Sequence, residues 1–377
     1  MALKVEVYEK EKVRPSSPTP QTLRYHKLSL LDVLAGPFYG PPHVLFYPSG
    51  AGPRRHDYDE LKESLSKTLS ILYPLAGRLK DGSIIECNDE GADFVRANVT
   101  NYDLGEFLRH PKQEDLLQLL PLDPYPDAID PAMPMLAVQV NRFRCGGTAV
   151  GFCTWHGVVD GIGMATLYNT MAAINRGEEG VVGGPVVVDV TATFSPAIPN
   201  MSKQAGYRAD QEPVQPIGAS PPSISTDSVW EVDGGAAGGP VTGRSLVGRV
   251  VEAMDKFTNH YVREMQAEGG FIKSIRTRRS KISNYNKDEI KILSISSLCK
   301  IPFGEVDFGW GKPIWIGMPQ TLLDVALFVD TKDGGVEVWI GLDHEVMCNL
   351  DKDMEFNAYV SFAHIVSESS CRLSSAL

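Results

Sequence analysis

The chain has 377 residues, 36 Lys plus Arg against 47 Asp plus Glu, a formal net charge of −11, and 43% hydrophobic with 22% charged residues. That balance is ordinary for a globular protein long enough to bury a core without metals or disulfides. It argues against a nucleic-acid binder, which needs a basic face. No apolar run approaches the roughly 18 residues that span a bilayer, and the first residues lack a signal-peptide core. The six cysteines (Cys87, Cys145, Cys153, Cys299, Cys348 and Cys371) never form a CxxC pair. The expectation is therefore a reduced, cytoplasmic protein with no membrane segment and no metal site.

In chain order, residues 4–9 alternate as an opening strand, and Pro15, Pro18 and Pro20 extend the connection that follows. The apolar run His43 to Tyr47 reads as a buried strand. Residues 58–72 are the clearest helix: Asp57 sits at the N-cap with Glu60 three residues on, Leu61, Leu65, Leu69 and Leu72 recur at helical spacing, and Pro74 stops it. A strand follows near 83–87. Met135 to Phe143 places Leu136, Val138 and Val140 on one face, Gln139 and Asn141 on the other, and pairs through Cys145-Gly146-Gly147 with Thr148 to Trp155. A helix over 162–176 carries Met164, Leu167, Met171 and Ile174, with Gly177 as its C-cap. Gly plus Pro then reach 17 of the 61 residues between Gly183 and Gly243, which marks a linker or atypical segment. Helical spacing returns at 245–265. Residues 324–329 and 336–342 form a hairpin, and 354–367 a last helix. This mixture predicts an α/β protein with mixed sheets.

The chemistry-bearing signatures are few. There is no phosphate-binding GxxxxGKS or GxxxxGKT loop, no complete GxGxxG, no GxSxG elbow and no HExxH. What remains is Trp155-His156-Gly157-Val158-Val159-Asp160-Gly161, a histidine at a strand end with Gly157, Gly161 and Gly163 leaving room beside the imidazole. Histidine is the usual acceptor of a hydroxyl or amine proton near neutral pH. Asp160 either orients the ring or turns away and braces the loop through an Arg. A histidine that only hydrogen-bonds a turn is the alternative for HxxxD taken alone. Cys153 is three residues before His156, so on a strand the two face apart. The second feature is Asp307-Phe308-Gly309-Trp310-Gly311-Lys312-Pro313, where glycines bend the backbone around a tryptophan.

Together, HxxxD and DFGWG resemble the paired signatures of the plant BAHD acyl-CoA-dependent acyltransferases. The segment Leu28-Ser29-Leu30-Leu31-Asp32 and the stretch Tyr73-Pro74-Leu75-Ala76-Gly77-Arg78-Leu79 are similar to that family too, and Pro15 to Pro20 resembles its vinorine-synthase-like branch. The resemblance covers residues 1–180 and 245–365. It implies a two-domain, mixed-sheet, chloramphenicol-acetyltransferase-like α/β fold with a central channel: an N-terminal domain over 1–180, the Gly/Pro-rich segment 183–243, and a shortened C-terminal domain over 244–377. It implies direct transfer from acyl-CoA, a co-substrate rather than a permanently bound cofactor, to a hydroxyl or amine of a small-molecule acceptor, in a monomer. By resemblance His156 is the general base. Asp160 shapes the site by pairing with an Arg of the second domain, and that Arg falls in a part with no clear counterpart here. Asp307 stands with the catalytic set, bracing being its favoured role. Trp310 lines the acyl side, and Gly157 and Gly161 border substrate. Lys273, Arg276 and Arg278, in a run with Arg279 and Lys281, are the cations for CoA phosphates, with Lys300 and Lys312 beside the second motif. A catalytically weak paralogue with a ligand- or partner-binding role is the alternative.

Overall fold

The computed structural model describes residues 2–34, 38–126, 130–178, 258–267, 293–319, 324–331, 334–350 and 352–358, with Asp255, Gly270, Lys273, Ser274, Thr277 and Val360. The Gly/Pro-rich segment 183–243, most of the helix expected over 245–265, Arg276, Arg278 and the end of the expected last helix lie outside the described residues. The strands are β1 (Val5–Val13), β2 (Tyr25–Lys27), β3 (His43–Tyr47), β4 (Arg78–Lys80), β5 (Ile84–Glu86), β6 (Ala92–Val99), β7 (Leu136–Phe143), β8 (Thr148–Thr154), β9 (Ser294–Ser297), β10 (Trp315–Gly317), β11 (Val325–Asp330) and β12 (Val336–Gly341). The helices are α1 (Leu30–Leu34), α2 (Tyr58–Ile71), α3 (Leu104–Phe107), α4 (Gln113–Gln118), α5 (Gly161–Asn175), α6 (Asn259–Gln266), α7 (His344–Leu350) and α8 (Met354–Asn357).

A six-stranded sheet in the order β1-β6-β7-β8-β3-β10 organises the core. All its neighbours are antiparallel except β6 and β7. Parallel neighbours need a crossover, and α3 and α4 supply it. A second sheet runs β12-β11-β9 with β9 parallel to β11, and a small antiparallel one runs β2-β5-β4. The fold is thus α/β with several sheets, two of them mixed. The last strand of the six-stranded sheet, β10, comes from the far half of the chain and pairs Trp315 with Phe46 and Gly317 with Val44.

Sequence dictates α2 in a direct way. The Asp57 carboxylate accepts from the backbone N–H groups of Asp59 at 2.9 Å and Glu60 at 3.1 Å, satisfying two orphan donors of the first turn. Leu61, Leu65 and Leu69 are buried against α5. Gly177 ends α5 in the left-handed region, φ +82°. The β7 strand departs from a one-sided pattern: Gln139 and Asn141 are buried as well. Their amides donate to the carbonyls of Gln118 at 3.0 Å and Leu119 at 2.9 Å, so the polar face of β7 holds the end of α4. Gly151 permits that approach, since a Cβ there would lie 2.2 Å from the Leu119 oxygen. One expectation about cysteine fails: Cys87, Cys145, Cys153 and Cys299 are free thiols, but Cys348 is disulfide-bonded.

Candidate active site around His156

β8 ends at Thr154, and the chain turns through Trp155 and His156 before α5 begins. The turn is tied on both sides: the His156 N–H donates to the Phe38 carbonyl at 3.1 Å, and the Val158 N–H to the Trp155 carbonyl at 3.0 Å. Asp160 is the N-cap of α5, its Oδ1 accepting the Gly163 N–H at 2.8 Å. The carboxylate thus caps the helix that follows the histidine turn, and its charge acts on the His156 ring. Among the described residues no Lys or Arg forms an ion pair with Asp160.

The His156 ring is half-buried, with the Phe38 ring edge-on at 5.2 Å and Tyr125 stacked behind Phe38 at 6.1 Å. Burial pushes the imidazole pKa below its ordinary value; the charges of Asp160 and Asp32 and nearby backbone carbonyls oppose that shift. The balance leaves a neutral imidazole near pH 7, the form that accepts a proton.

The glycines also meet close neighbours. A Cβ on Gly157 would lie 2.9 Å from the Asp32 carbonyl oxygen, and one on Gly161 3.0 Å from Ile301 Cδ1 and Leu298 Cδ2. Gly157 and Gly161 let the α1 segment and the 298–301 segment close on the histidine turn. In the sequence Ser29 and Asp32 stand out only as part of a resembling stretch, and Phe38 and Tyr125 carry no local signal. The Ser-x-x-Asp spacing of a helix cap was the available signal for the first pair.

The DFGWG loop lies elsewhere. Asp307 Oδ1 accepts the N–H groups of Gly309 at 2.7 Å and Gly311 at 2.9 Å, and both glycines sit at φ +87°. Trp310, expected on the acyl side, is 0% exposed. It packs against His56 at 4.6 Å, Phe308 at 5.2 Å and Tyr47 at 5.6 Å, and a side chain without exposed surface presents nothing to a bound molecule. The loop is moored to the C-terminal end of α5, where Asn175 Nδ2 donates to the Phe308 carbonyl at 2.7 Å and Arg176 donates to the Asp307 carbonyl, and to the segment before α2, whose Arg54 N–H donates to the Gly309 carbonyl at 3.0 Å. The two motifs therefore sit at opposite ends of a 15-residue helix, about 22 Å long at 1.5 Å per residue. At that separation the Asp307 carboxylate is out of hydrogen-bond reach of the His156 ring.

Of the expected phosphate-binding cations, Lys273 is exposed. Lys312 is ion-paired with Glu305, and Lys300 occupies a left-handed position, φ +66°, with its N–H on Asp330. The described residues hold no cluster of His, Cys, Asp or Glu fit for a metal ion.

With this fold and site described, the family model called Transferase family matches residues 3–215 and 242–357. The chain belongs to that family, the BAHD acyltransferases. It is 28% identical to a limonoid 21-O-acetyltransferase of Melia azedarach over 428 aligned positions, covering 95% of this chain and 99% of that one. It is 29% identical to vinorine synthase of Rauvolfia serpentina, covering 94% and 98%. The crystal structure of vinorine synthase superposes with a TM-score of 0.71 over 95% of this chain and 99% of that one, at 25% identity. The structure of F. sporotrichioides TRI101 complexed with coenzyme A and T-2 shares the fold at a TM-score of 0.54 and 17% identity over 90% of this chain and 100% of that one. An alignment of 428 positions exceeds the 377 residues here, so the first relative carries internal segments that this chain lacks.

Proposed function

We propose that the protein transfers an acyl group, acetyl being the donor suggested by the relatives' names, from acyl-CoA to a hydroxyl or amine of a plant specialised metabolite. The observation that carries this is the seating of His156: a half-buried imidazole, biased toward its neutral form, fixed by backbone bonds on both sides of its turn. His156 takes the proton of the acceptor as its oxygen or nitrogen attacks the thioester carbonyl. The tetrahedral intermediate collapses with loss of the CoA thiolate, which recovers the proton from the imidazolium. Asp160 fixes the turn, and Asp307 and Trp310 hold the α5 end of the scaffold. The exposed Lys273 supports a cationic approach for CoA phosphates, with Arg276 and Arg278 completing it. This reading takes 1–180 and 244–377 as two domains of a cytoplasmic monomer. Among the described residues no helix is long and apolar enough to cross a membrane.

The test is release of free thiol from acetyl-CoA with a panel of alcohols and amines. His156→Ala should cut the rate by about 10²–10⁴-fold, the usual contribution of a general base. Equal rates for both proteins would overturn the assignment. A second reading, a catalytically weak paralogue, is favoured by the absence of a cation on Asp160 among the described residues and by the internal segments the relatives have in addition. It predicts thiol release far below that of a full-length relative assayed beside it.

A further inference from the structure

After β1 the chain runs through Arg14-Pro15-Ser16-Ser17-Pro18-Thr19-Pro20 as a strap along the last two turns of α2. The Ser16 N–H donates to the Ser66 carbonyl at 3.0 Å, Ser66 Oγ donates to the Arg14 carbonyl at 2.7 Å, and the Ser17 N–H donates to Ser70 Oγ at 3.0 Å. Three prolines hold the strap open, each with φ fixed at roughly −65° and no N–H to give; Pro20 itself lies at φ −56°, ψ 144°.

The strap's three hydroxyls differ. Ser16 Oγ is hydrogen-bonded to Ser70 Oγ at 3.0 Å. Thr19 is half-buried, its Oγ1 donating to Asp89 Oδ1 at 2.6 Å and its N–H to Asp89 Oδ2 at 2.9 Å. Ser17 is exposed, and only its backbone is engaged: its hydroxyl has no hydrogen-bond partner among the described residues. Exposed Pro18 follows it directly. Arg14, also exposed, stands three residues before it and forms no ion pair among the described residues. A protein kinase takes its substrate as an extended segment and reads the side chains that flank the hydroxyl. A free serine hydroxyl between an upstream cation and a proline, on surface backbone held by a few exposed hydrogen bonds, meets that requirement at low opening cost.

We propose that Ser17 is a phosphorylation site for a proline-directed serine/threonine kinase. Ser17 Oγ attacks the γ-phosphorus of ATP, the bond from that phosphorus to the β–γ bridging oxygen breaks, ADP leaves, and the hydroxyl proton goes to the kinase's catalytic carboxylate. The phosphoserine carries a charge of about −1.5 to −2 at pH 7. It stands beside the C-terminal end of α2, whose carbonyls are its negative pole, and close to Asp89, which Thr19 binds. Both repel it. Lys67 on α2 is paired with Glu63 at 3.1 Å, which leaves Arg14 as the opposing charge. Phosphorylation therefore loosens the strap from α2, the helix that packs its leucines on α5.

The test incubates the full chain with a purified proline-directed kinase and magnesium ATP and maps phosphate by peptide mass spectrometry. Ser17 should be modified stoichiometrically, with Ser16 and Thr19 nearly untouched. Ser17→Ala should abolish the modified peptide without harm to folding, since that hydroxyl bonds nothing, and Pro18→Ala should slow modification about 10-fold or more. The phosphorylated chain should melt a few degrees below Ser17→Ala treated in the same way, and the gap should narrow at high salt. A native chain left unmodified at Ser17, when a synthetic peptide of residues 10–24 is modified there, would overturn the proposal, because the strap would then shield the serine. Phosphate on Thr19 in place of Ser17 would overturn it too. An unchanged or raised melting temperature would overturn the loosening and make Arg14 the partner that captures the phosphate.

Discussion

Asp307 separates bracing from chemistry. Its Oδ1 is the acceptor for two backbone N–H groups in a loop whose glycines hold φ +87°. Asp307→Ala leaves both donors without a partner beside a fully buried tryptophan. A hydrogen bond to a charged group contributes about 1.5–3 kcal/mol, and an unsatisfied buried donor costs about 1–3 kcal/mol. The side chain is only half-buried, so water recovers part of this, and the net loss should be about 2–4 kcal/mol. Asp307→Asn keeps an oxygen in place and should lose about 1 kcal/mol. Urea denaturation measures both, and thiol release from acetyl-CoA measures turnover on the same preparations. Turnover should follow stability: near wild type in Asp307→Asn, strongly reduced in Asp307→Ala. An Asp307→Asn protein as stable as wild type yet without turnover would refute the bracing argument and put the carboxylate into the reaction.

Two further perturbations test the packing. His43 is fully buried beside Phe303 at 4.5 Å, with Tyr168 as the hydroxyl partner of Nδ1 at 3.3 Å, and burial lowers its pKa to about 3. The neutral form is the folded one, so this contribution is complete above pH 6.5 and is lost as pH falls from there toward 3; at about 1.4 kcal/mol per unit, roughly 3 kcal/mol is gone by pH 4.5. His43→Phe should flatten the dependence of the urea midpoint on pH over that interval, and an unchanged slope would contradict the assignment. Gly52→Ala should destabilise the protein by more than about 2 kcal/mol, because a Cβ there would meet the Trp310 carbonyl carbon at 2.3 Å and the Gly311 nitrogen at 2.4 Å, neither of which is a yielding side-chain end. A variant with wild-type melting temperature would show that the 50–54 segment is not pressed on the DFGWG loop.

The elements that local rules specify were legible in the sequence. α2 follows from one capping aspartate and a leucine repeat, the β7–β8 hairpin from alternation and a double glycine, and the end of α5 from Gly177. Long-range contacts were not. A tryptophan between two glycines has the same local pattern whether it faces a ligand or a core; what decides for Trp310 is Tyr47, His56 and Tyr58, which lie in the first sixth of the chain. Room beside Gly157 and Gly161 was foreseen, but not its occupants, Asp32 and the Leu298–Ile301 pair. The inward amides of β7 look like a solvent face until α4 is seen to need partners for its last carbonyls. β10 offers three residues, too few for periodicity to assign them to a sheet built by the other half of the chain.

The placement of the two motifs at opposite ends of α5 gives the second one a mechanical meaning. Asp160 caps the start of the helix beside His156, while Asn175 and Arg176 at its end hold the carbonyls of Phe308 and Asp307. Between them Tyr168 packs at a tilt against Phe152 of β8 at 4.2 Å, and Asn169 donates to the Pro302 carbonyl at 3.0 Å. The helix is therefore fixed at its start, middle and end, and two of those attachments come from the segment 302–308. Preorganised sites hold their groups to about 0.5 Å, and a small misplacement of a base can cost on the order of 10²-fold. On the proposed function, a loop remote from His156 would then influence the rate by fixing where α5 carries Asp160 and the histidine turn. Conservation of charge at Asp307 would not matter to such a device; retention of an acceptor for the Gly309 and Gly311 N–H groups would.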